Sequence, residues 1–345
     1  MTKFSAKLMI FDPNSVNPYG AELARVLSSK ETDVTLYSAG VGGKYYSPTI
    51  SLHLNRPPGL IGLISWGLNR LLAPLKFAVA SLLSRNSICI LVWIRDPWQA
   101  LVMLGLSKFR SVYWIDHNPV GTRMQSGPTG ISGLLRKNVK ASPVHSEVLD
   151  GGKEPTISHP SYRGMVSSVR EDAHSLLSGE SGRAQFAYIG ALRPDKGADV
   201  LVEVCRLFSR PYHLTLVGCS EVPEDLWIAV QESAVGTVEA VHFPVSDSDL
   251  VSHISRADLI LAPYIEPTQS GSLILALTVG ATAIAFEGGA IGELLPDRQL
   301  IGRGDSAEFA KRAFEVLDQG GSSWRVSAVQ LDADCWRSWL KILDQ

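Results

Sequence analysis

Only four cysteines occur in 345 residues (Cys89, Cys205, Cys219 and Cys335), with no Cys-x-x-Cys pair and no Cys/His cluster at zinc spacing. That excludes a disulfide framework and a structural zinc site, and it fits a reducing compartment with free thiols. Low-complexity runs are absent, and at 45% hydrophobic the chain is too apolar for disorder. No G-x-G-x-x-G follows an expected strand, which argues against a nicotinamide dehydrogenase. No charge of one sign predominates: 32 Lys+Arg against 34 Asp+Glu leave −2, unlike a dedicated nucleic-acid binder. The start, Met1-Thr-Lys-Phe-Ser-Ala-Lys7, lacks the apolar h-region of a signal peptide, so a cytoplasmic location is expected.

What is present is unevenly distributed. Up to Arg170 there are 19 Lys+Arg and 9 Asp+Glu, a balance of +10; beyond it there are 13 and 25, a balance of −12. Two halves of opposite sign suit two domains with different partners. The plain alternative is two solvated surfaces of independently drifting composition. Length also suggests two domains. Apolar runs at 6–11, 33–38, 87–94 and 111–116 read as strands of the first half. Runs at 185–190, 213–218, 238–243, 258–262 and 281–286 read as strands of the second. Helical patterns fall at 198–208, 223–234, 246–256, 271–279 and 306–317, and alternation of this kind implies βαβ units in parallel sheets. The expected division is 1–165, 166–320 and a helical C-terminal segment, 321–345, with Trp336, Trp339, Leu340 and Leu343 at helical spacing.

Leu60–Leu83 is strongly apolar, but Arg70, Lys76 and Pro74 interrupt it, so it does not read as a membrane span. Two readings stay open. One is a set of buried helices in the first domain. The other is an amphipathic helix pair lying in a membrane interface, aided by Trp66 and by Arg56, Arg70, Lys76 and Arg85.

Two segments carry anion chemistry. In Tyr188-Ile-Gly-Ala-Leu-Arg-Pro-Asp-Lys-Gly197 a strand ends at Gly190, Arg193 and Lys196 occupy the turn, and Gly197 opens a helix. Cations over a helix N-terminus suit a phosphate or diphosphate. In Ala262-Pro-Tyr-Ile-Glu-Pro-Thr-Gln-Ser-Gly-Ser-Leu273 a strand again leads into a helix. Ser270, Gly271 and Ser272 there offer N–H groups and hydroxyls, and Glu266 offers an acceptor for a sugar or ribose hydroxyl.

With Asp258-Leu-Ile-Leu-Ala-Pro-Tyr264 and Gly280-Ala-Thr-Ala-Ile-Ala285 added, the second half resembles the donor domain of GT-B glycosyltransferases. The likeness is to the family 4-type group and its bacterial exopolysaccharide mannosyltransferase relatives. Asn17-Pro-Tyr19, Trp114-Ile-Asp-His-Asn-Pro119, Val144-His-Ser146 and His159-Pro-Ser-Tyr162 are weaker echoes in the first half. The resemblance implies an α/β fold of two Rossmann-like domains facing across a cleft, with the C-terminal helix crossing back to the first domain. It implies transfer of a hexose from a GDP- or UDP-sugar to a lipid-linked or polysaccharide acceptor, in cell-surface glycan synthesis. Arg193, Lys196, Ser270, Gly271 and Ser272 would take the donor diphosphate; Gly190, Tyr264, Glu266 and Glu293 would take its sugar and nucleotide. The sequence departs from the pattern at Ile274, where many relatives place a second Glu eight positions after the first, and at Ala191, where an Arg is frequent.

Breaking a sugar–diphosphate bond places negative charge on the leaving group, which a metal or fixed cations must stabilise. Asp247-Ser-Asp249 has the spelling of a metal motif but reads as a helix cap. The expectation is therefore metal-independent transfer without a cofactor, Arg193 and Lys196 doing the metal's work. For the catalytic side His117 is favoured, as base or as donor-sugar contact, with Asp116 orienting it; Asp12 and Asp96 are further carboxylate candidates, and Glu287 is a further donor-side one. The basic first half is expected to meet an anionic membrane surface at the inner face of the plasma membrane. The alternatives are a non-catalytic GT-B-like subunit that binds a nucleotide sugar or a partner enzyme, and a nucleotide-sugar 2-epimerase.

Overall fold

The computed structural model describes residues 6–14, 16–29, 31–40, 42–54, 58–94, 96–117, 130–145, 155–170, 182–265, 270–320 and 327–344. The chain forms two compact units: Met1–Met165 together with Leu331–Gln345, and Val166–Gln330.

The first unit is built on a five-stranded parallel sheet of order β3-β2-β1-β4-β5. Its strands are β1 (Lys7–Asp12), β2 (Val34–Ser38), β3 (Thr49–Ser51), β4 (Ser87–Leu91) and β5 (Ser111–Trp114). Leu8, Ile10, Leu36, Cys89 and Ile90 are fully buried, as strands covered on both faces require. Isolated bridges Asp116–Val144 and Val144–Thr156 extend the parallel pairing beyond β5. The helices are α1 (Tyr19–Ser28), α2 (Gly42–Tyr45), α3 (Gly59–Leu83), α4 (Pro97–Leu106), α5 (Ile131–Asn138), α6 (Arg163–Arg170), which runs across the division between the units, and α13 (Ala328–Leu343) near the C-terminus.

α1 begins at Tyr19, directly after Pro18. Asn17 accepts from the Tyr19 N–H, while the Asp12 carboxylate accepts from Asn14 and Gly20. Gly20 is needed there, because a Cβ would stand 2.3 Å from the Asp12 Oδ2.

The Leu60–Leu83 stretch is one 25-residue helix with Pro74 inside it, not a helix pair. The indole of Trp98 donates to the Leu71 carbonyl, in the turn that Pro74 disturbs. One face of α3, with Ala73 and Phe77, is buried in the core with Phe11, Tyr37 and Met103. The other face is exposed, so the reading of simply buried helices does not hold. No helix among the described residues is long and apolar enough to cross a membrane.

α13 belongs to the first unit through a polar network. Asp332 accepts from Arg25 at 2.9 Å and from the Ser161 N–H and hydroxyl. Glu22 is fully buried and accepts from Arg25, Gly164 and Met165, though burial still pushes its carboxyl up. Ser338 accepts from the Ser158 N–H, and Trp339 is fully buried beside Tyr113.

The second unit holds a six-stranded parallel sheet of order β11-β10-β9-β6-β7-β8. Its strands are β6 (Ala184–Ile189), β7 (Tyr212–Cys219), β8 (Gly236–His242), β9 (Leu259–Ala262), β10 (Ala283–Phe286) and β11 (Leu300–Ile301). Between them run α7 (Ala198–Leu207), α8 (Glu224–Glu232), α9 (Asp247–Arg256), α10 (Gly271–Val279), α11 (Ile291–Leu294) and α12 (Ser306–Asp318). Ser246 caps α9 by accepting from Asp249, so Asp247-Ser-Asp249 is the helix start that the sequence suggests. Each sheet is doubly wound. The chain reverses its direction of growth between β1 and β4 in the first unit, and between β6 and β9 in the second. In open α/β sheets ligands bind at the carboxyl ends of strands at such switch points.

Candidate functional site

The carboxyl ends of β6 and β9 bring most of the sequence-predicted donor residues together. Gly190 follows β6 at φ +109°, and a Cβ on it would stand 3.4 Å from the Ser272 hydroxyl. The chain then makes a short 3-10 turn, Pro194–Lys196, and enters α7 through Gly197 at φ +73°. A Cβ on Gly197 would lie 1.8 Å from the carbonyl oxygen of Pro263, the residue after β9. Only glycine lets these two turns meet.

That contact carries the side chains with it. The Lys196 ammonium lies 4.3 Å from the centroid of the Tyr264 ring. Tyr264 is buried and hydrogen-bonds with Ser270 and Ser272; burial raises its phenol despite those bonds. Tyr188 donates to the carbonyls of Ala191 and Lys196, holding the turn. Ser270 caps α10 by accepting from Leu273, and Gly271 is the first residue of that helix. The site therefore presents one ammonium, two hydroxyls and a helix N-terminus, which is a phosphate-binding chemistry. Burial pushes the Lys196 amine down to about 8, with Asp195 opposing and Arg193 adding to the shift.

The other donor residues are placed differently. Arg193 is 43% exposed and forks onto Asp195, at 2.9 and 3.1 Å, so its charge is already answered by a neighbour two positions on. Glu266 lies outside the described residues. Glu293 is exposed on α11, and Glu287 is exposed just after β10, the neighbour of β9. Ile274, at the position of the absent second Glu, is fully buried in α10.

In the first unit the carboxyl edge of the sheet carries an aromatic and imidazole cluster. His117 stacks on Trp93 at 3.9 Å between ring centroids. Tyr19 meets the rings of His117, His145 and His159 at 4.8–5.6 Å. Burial pushes His117 down to about 3 and His159 to about 4, and it also lowers His145, so all three are neutral. The Nε2 atoms of His117 and His145 and the Tyr19 hydroxyl are buried without a partner among the described residues.

The sequence led us to expect Asp116 to orient His117. Instead the ring is held by a hydrogen bond with the Val92 backbone and by Trp93, while Asp116 pairs with Arg136 at 2.6 Å. Asp12 and Asp96 are also occupied structurally: Asp12 caps α1, and Asp96 caps α4 through Gln99 and pairs with Arg70. Trp93 was not singled out by sequence; its signal was only an aromatic near the end of an apolar run.

Comparisons with known proteins bear on the fold and on the second half of the chain. Residues 183–319 match the family model of the glycosyl transferases group 1. Over 174 residues the chain is 26% identical to a GDP-mannose:glycolipid 4-beta-D-mannosyltransferase of Xanthomonas campestris pv. campestris, covering 49% of this chain and 46% of that protein. The chain thus spans about half the length of the curated relatives it matches. Among solved structures it is similar to Anabaena HepE in complex with UDP-glucose, with a TM-score of 0.63 at 14% identity, covering 98% of both chains. Sucrose-phosphate synthase from Thermosynechococcus elongatus gives a TM-score of 0.60 at 15% identity, covering 97% of this chain and 94% of that one. The fold is that of the GT-B glycosyltransferases. Residues 183–319 of the second unit are thus similar to a glycosyl transferase group 1 domain, and the likeness to family 4-type enzymes seen in the sequence holds.

Proposed function

We propose that this protein is a glycosyltransferase that moves a hexose from a GDP- or UDP-sugar to a lipid-linked or glycan acceptor, in the making of cell-surface glycan at the cytoplasmic face of the membrane. The observation that carries the reading is the anion site at the β6/β9 switch point of a group 1 glycosyl transferase domain. Its Lys196 ammonium, its Ser270 and Ser272 hydroxyls and the N-terminus of α10 face the place where a donor diphosphate would lie. As the sugar–phosphate bond breaks, charge grows on the leaving diphosphate, and these fixed groups stabilise it without reorganising. Arg193 adds to them by exchanging Asp195 for a phosphate oxygen. In this reading the reaction needs no resident metal.

His117 serves better as a hydrogen-bond acceptor for a sugar hydroxyl than as a general base. A group whose conjugate acid lies at about 3 is a poor acceptor for an alcohol proton at neutral pH. Its Nε2, which has no partner among the described residues, fits that positioning role. The mannosyltransferase relative supports a glycolipid acceptor and a GDP-sugar; the HepE complex supports a UDP-sugar. A thermal-shift screen across UDP, GDP, dTDP and CMP sugars separates them. One class should raise Tm in the wild type and fail to do so in R193A/K196A. An equal shift in that variant would remove the diphosphate from this site.

A further inference from the structure

We propose that the exposed face of α3, with its neighbours α4 and α5, is a docking surface for a bilayer containing anionic lipid, and that the first unit lies on such a surface without spanning it. This gives a location to the lipid-linked acceptor proposed above and rests on that reading only for its biological purpose. The physical case stands on the surface itself.

Leu60, Ile64, Leu68, Leu71, Leu75 and Val79 are all exposed, from 38% at Leu75 to 74% at Leu60. Their steps of four, four, three, four and four place them on one side of the helix. Opposite them Ala73 and Phe77 are buried against the sheet, so α3 is anchored by one face and bare on the other. A continuous stripe of large aliphatic side chains in water is costly, and such patches mark interaction sites. The stripe does not stop at α3. Its C-terminal end shows Leu83, and Phe109 is 69% exposed beside it, since Arg110 binds the carbonyls of Ser81, Leu82 and Ser84. α4 packs beside α3 and α5 beside α4, adding the exposed Leu101 and Leu134.

Charge selects the occupant. Residues 59–140 contain ten Lys+Arg and only two Asp+Glu. Both carboxylates are already engaged, Asp96 by Arg70 and Asp116 by Arg136. Lys76, Arg85, Lys108 and Lys137 are exposed. A copy of this surface would repel itself, and a neutral bilayer would leave the cations without counter-charge. Anionic headgroups over an apolar interior answer both features.

The test uses the full chain and sedimentation with vesicles of phosphatidylcholine alone or with 30% phosphatidylglycerol. The expected result is binding to the anionic vesicles that weakens as salt rises, and at least tenfold weaker binding to the neutral ones. I64D/L68D should lower the partition coefficient at least tenfold. K76E/R85E should lower it about 25-fold or more, at about fivefold for each cation lost. Both variants change exposed side chains, and circular dichroism checks their folding. No binding to anionic vesicles, or equal salt-independent binding to both kinds, overturns the proposal. So does a wild-type dimer that I64D/L68D turns into a monomer, because a second copy would then cover the face. Thermal shift with nucleotide sugars, run without vesicles, reports on the donor site separately, so failure of one reading is told apart from failure of the other.

Discussion

Gly197 is the most tightly constrained residue of the donor side. Its φ of +73° strains any L side chain, and an added Cβ would collide with the Pro263 carbonyl. Gly197→Ala should therefore destabilise the protein by about 2 kcal/mol or more, read by urea denaturation, and should abolish the thermal shift given by the donor. Lys196 makes a prediction of a different kind. Its amine is held down to about 8, so it is charged at neutral pH and loses its proton as pH rises through that value. Donor affinity should be flat below pH 8 and fall by up to about tenfold per pH unit above it. In K196R, where the charge does not titrate, the profile should stay flat to pH 10. That Gly190, Arg193, Lys196, Gly197, Ser270 and Ser272 stand at two neighbouring strand ends was legible because the pattern is local: glycines, cations and hydroxyls directly after a strand. The fork of Arg193 onto Asp195 was also open to reading, since the two stand two positions apart. The cluster of Tyr19, Trp93, His117, His145 and His159 was not legible as a unit. Its members come from separate loops, and no spacing in the sequence announces that the fold will stack them.

Among the elements, the long buried strands were the easiest to read. A parallel strand covered on both faces is an uninterrupted apolar run, and eight of these were visible within a residue or two except that β4 stops at Leu91 and not at Ile94; the ninth strand read, β8, is a half-exposed sheet edge. β3 and β11 escaped, because three and two residues at a sheet edge carry no period. α3 was visible as an apolar stretch, but periodicity alone does not say which face is covered. Pro74 suggested a break between two helices, yet the helix continues through it, with Trp98 donating to the Leu71 carbonyl. α13 shows how a helix distant in sequence is attached. Asp332 receives Arg25 and two bonds from Ser161, and it is only 14% exposed. Asp332→Ala leaves the Arg25 charge short of a partner in a half-buried place and should cost about 2–4 kcal/mol. A double-mutant cycle with Arg25→Ala, followed by urea denaturation, should give a coupling of at least about 1 kcal/mol; additive effects would mean the pair contributes nothing specific.

Over the whole molecule, the near-neutral total conceals two units of different character. The basic half carries the apolar α3–α5 face and the histidine cluster. The acidic half carries the stretch 183–319 that matches the group 1 glycosyl transferases, and Lys196 stands at its candidate anion site. The histidines also set an acid limit on the first unit. Each is neutral when folded and takes a proton more readily when unfolded, so the unfolded chain binds more protons as pH falls. Stability should be unaffected above about pH 6.5 and should drop from there toward pH 4, by about 1.4 kcal/mol for each histidine per pH unit within that window. Melting curves between pH 4 and 8 check this, and His145→Phe should shallow the slope. A profile flat from 8 down to 4 would mean that the cluster opens to water without cost.

The measurement that bears most directly on the central proposal is release of nucleoside diphosphate from a panel of nucleotide sugars, with membrane extract as the source of acceptor and with excess chelator present. One donor class should be consumed, its hexose recovered in the lipid or glycan fraction, with the rate retained in chelator and reduced at least a hundredfold in R193A/K196A. Consumption of no donor would contradict the glycosyltransferase reading. Isomerisation of the sugar without an acceptor would assign the same fold to an epimerase, and an unchanged rate in the double variant would remove the diphosphate from the β6/β9 turn.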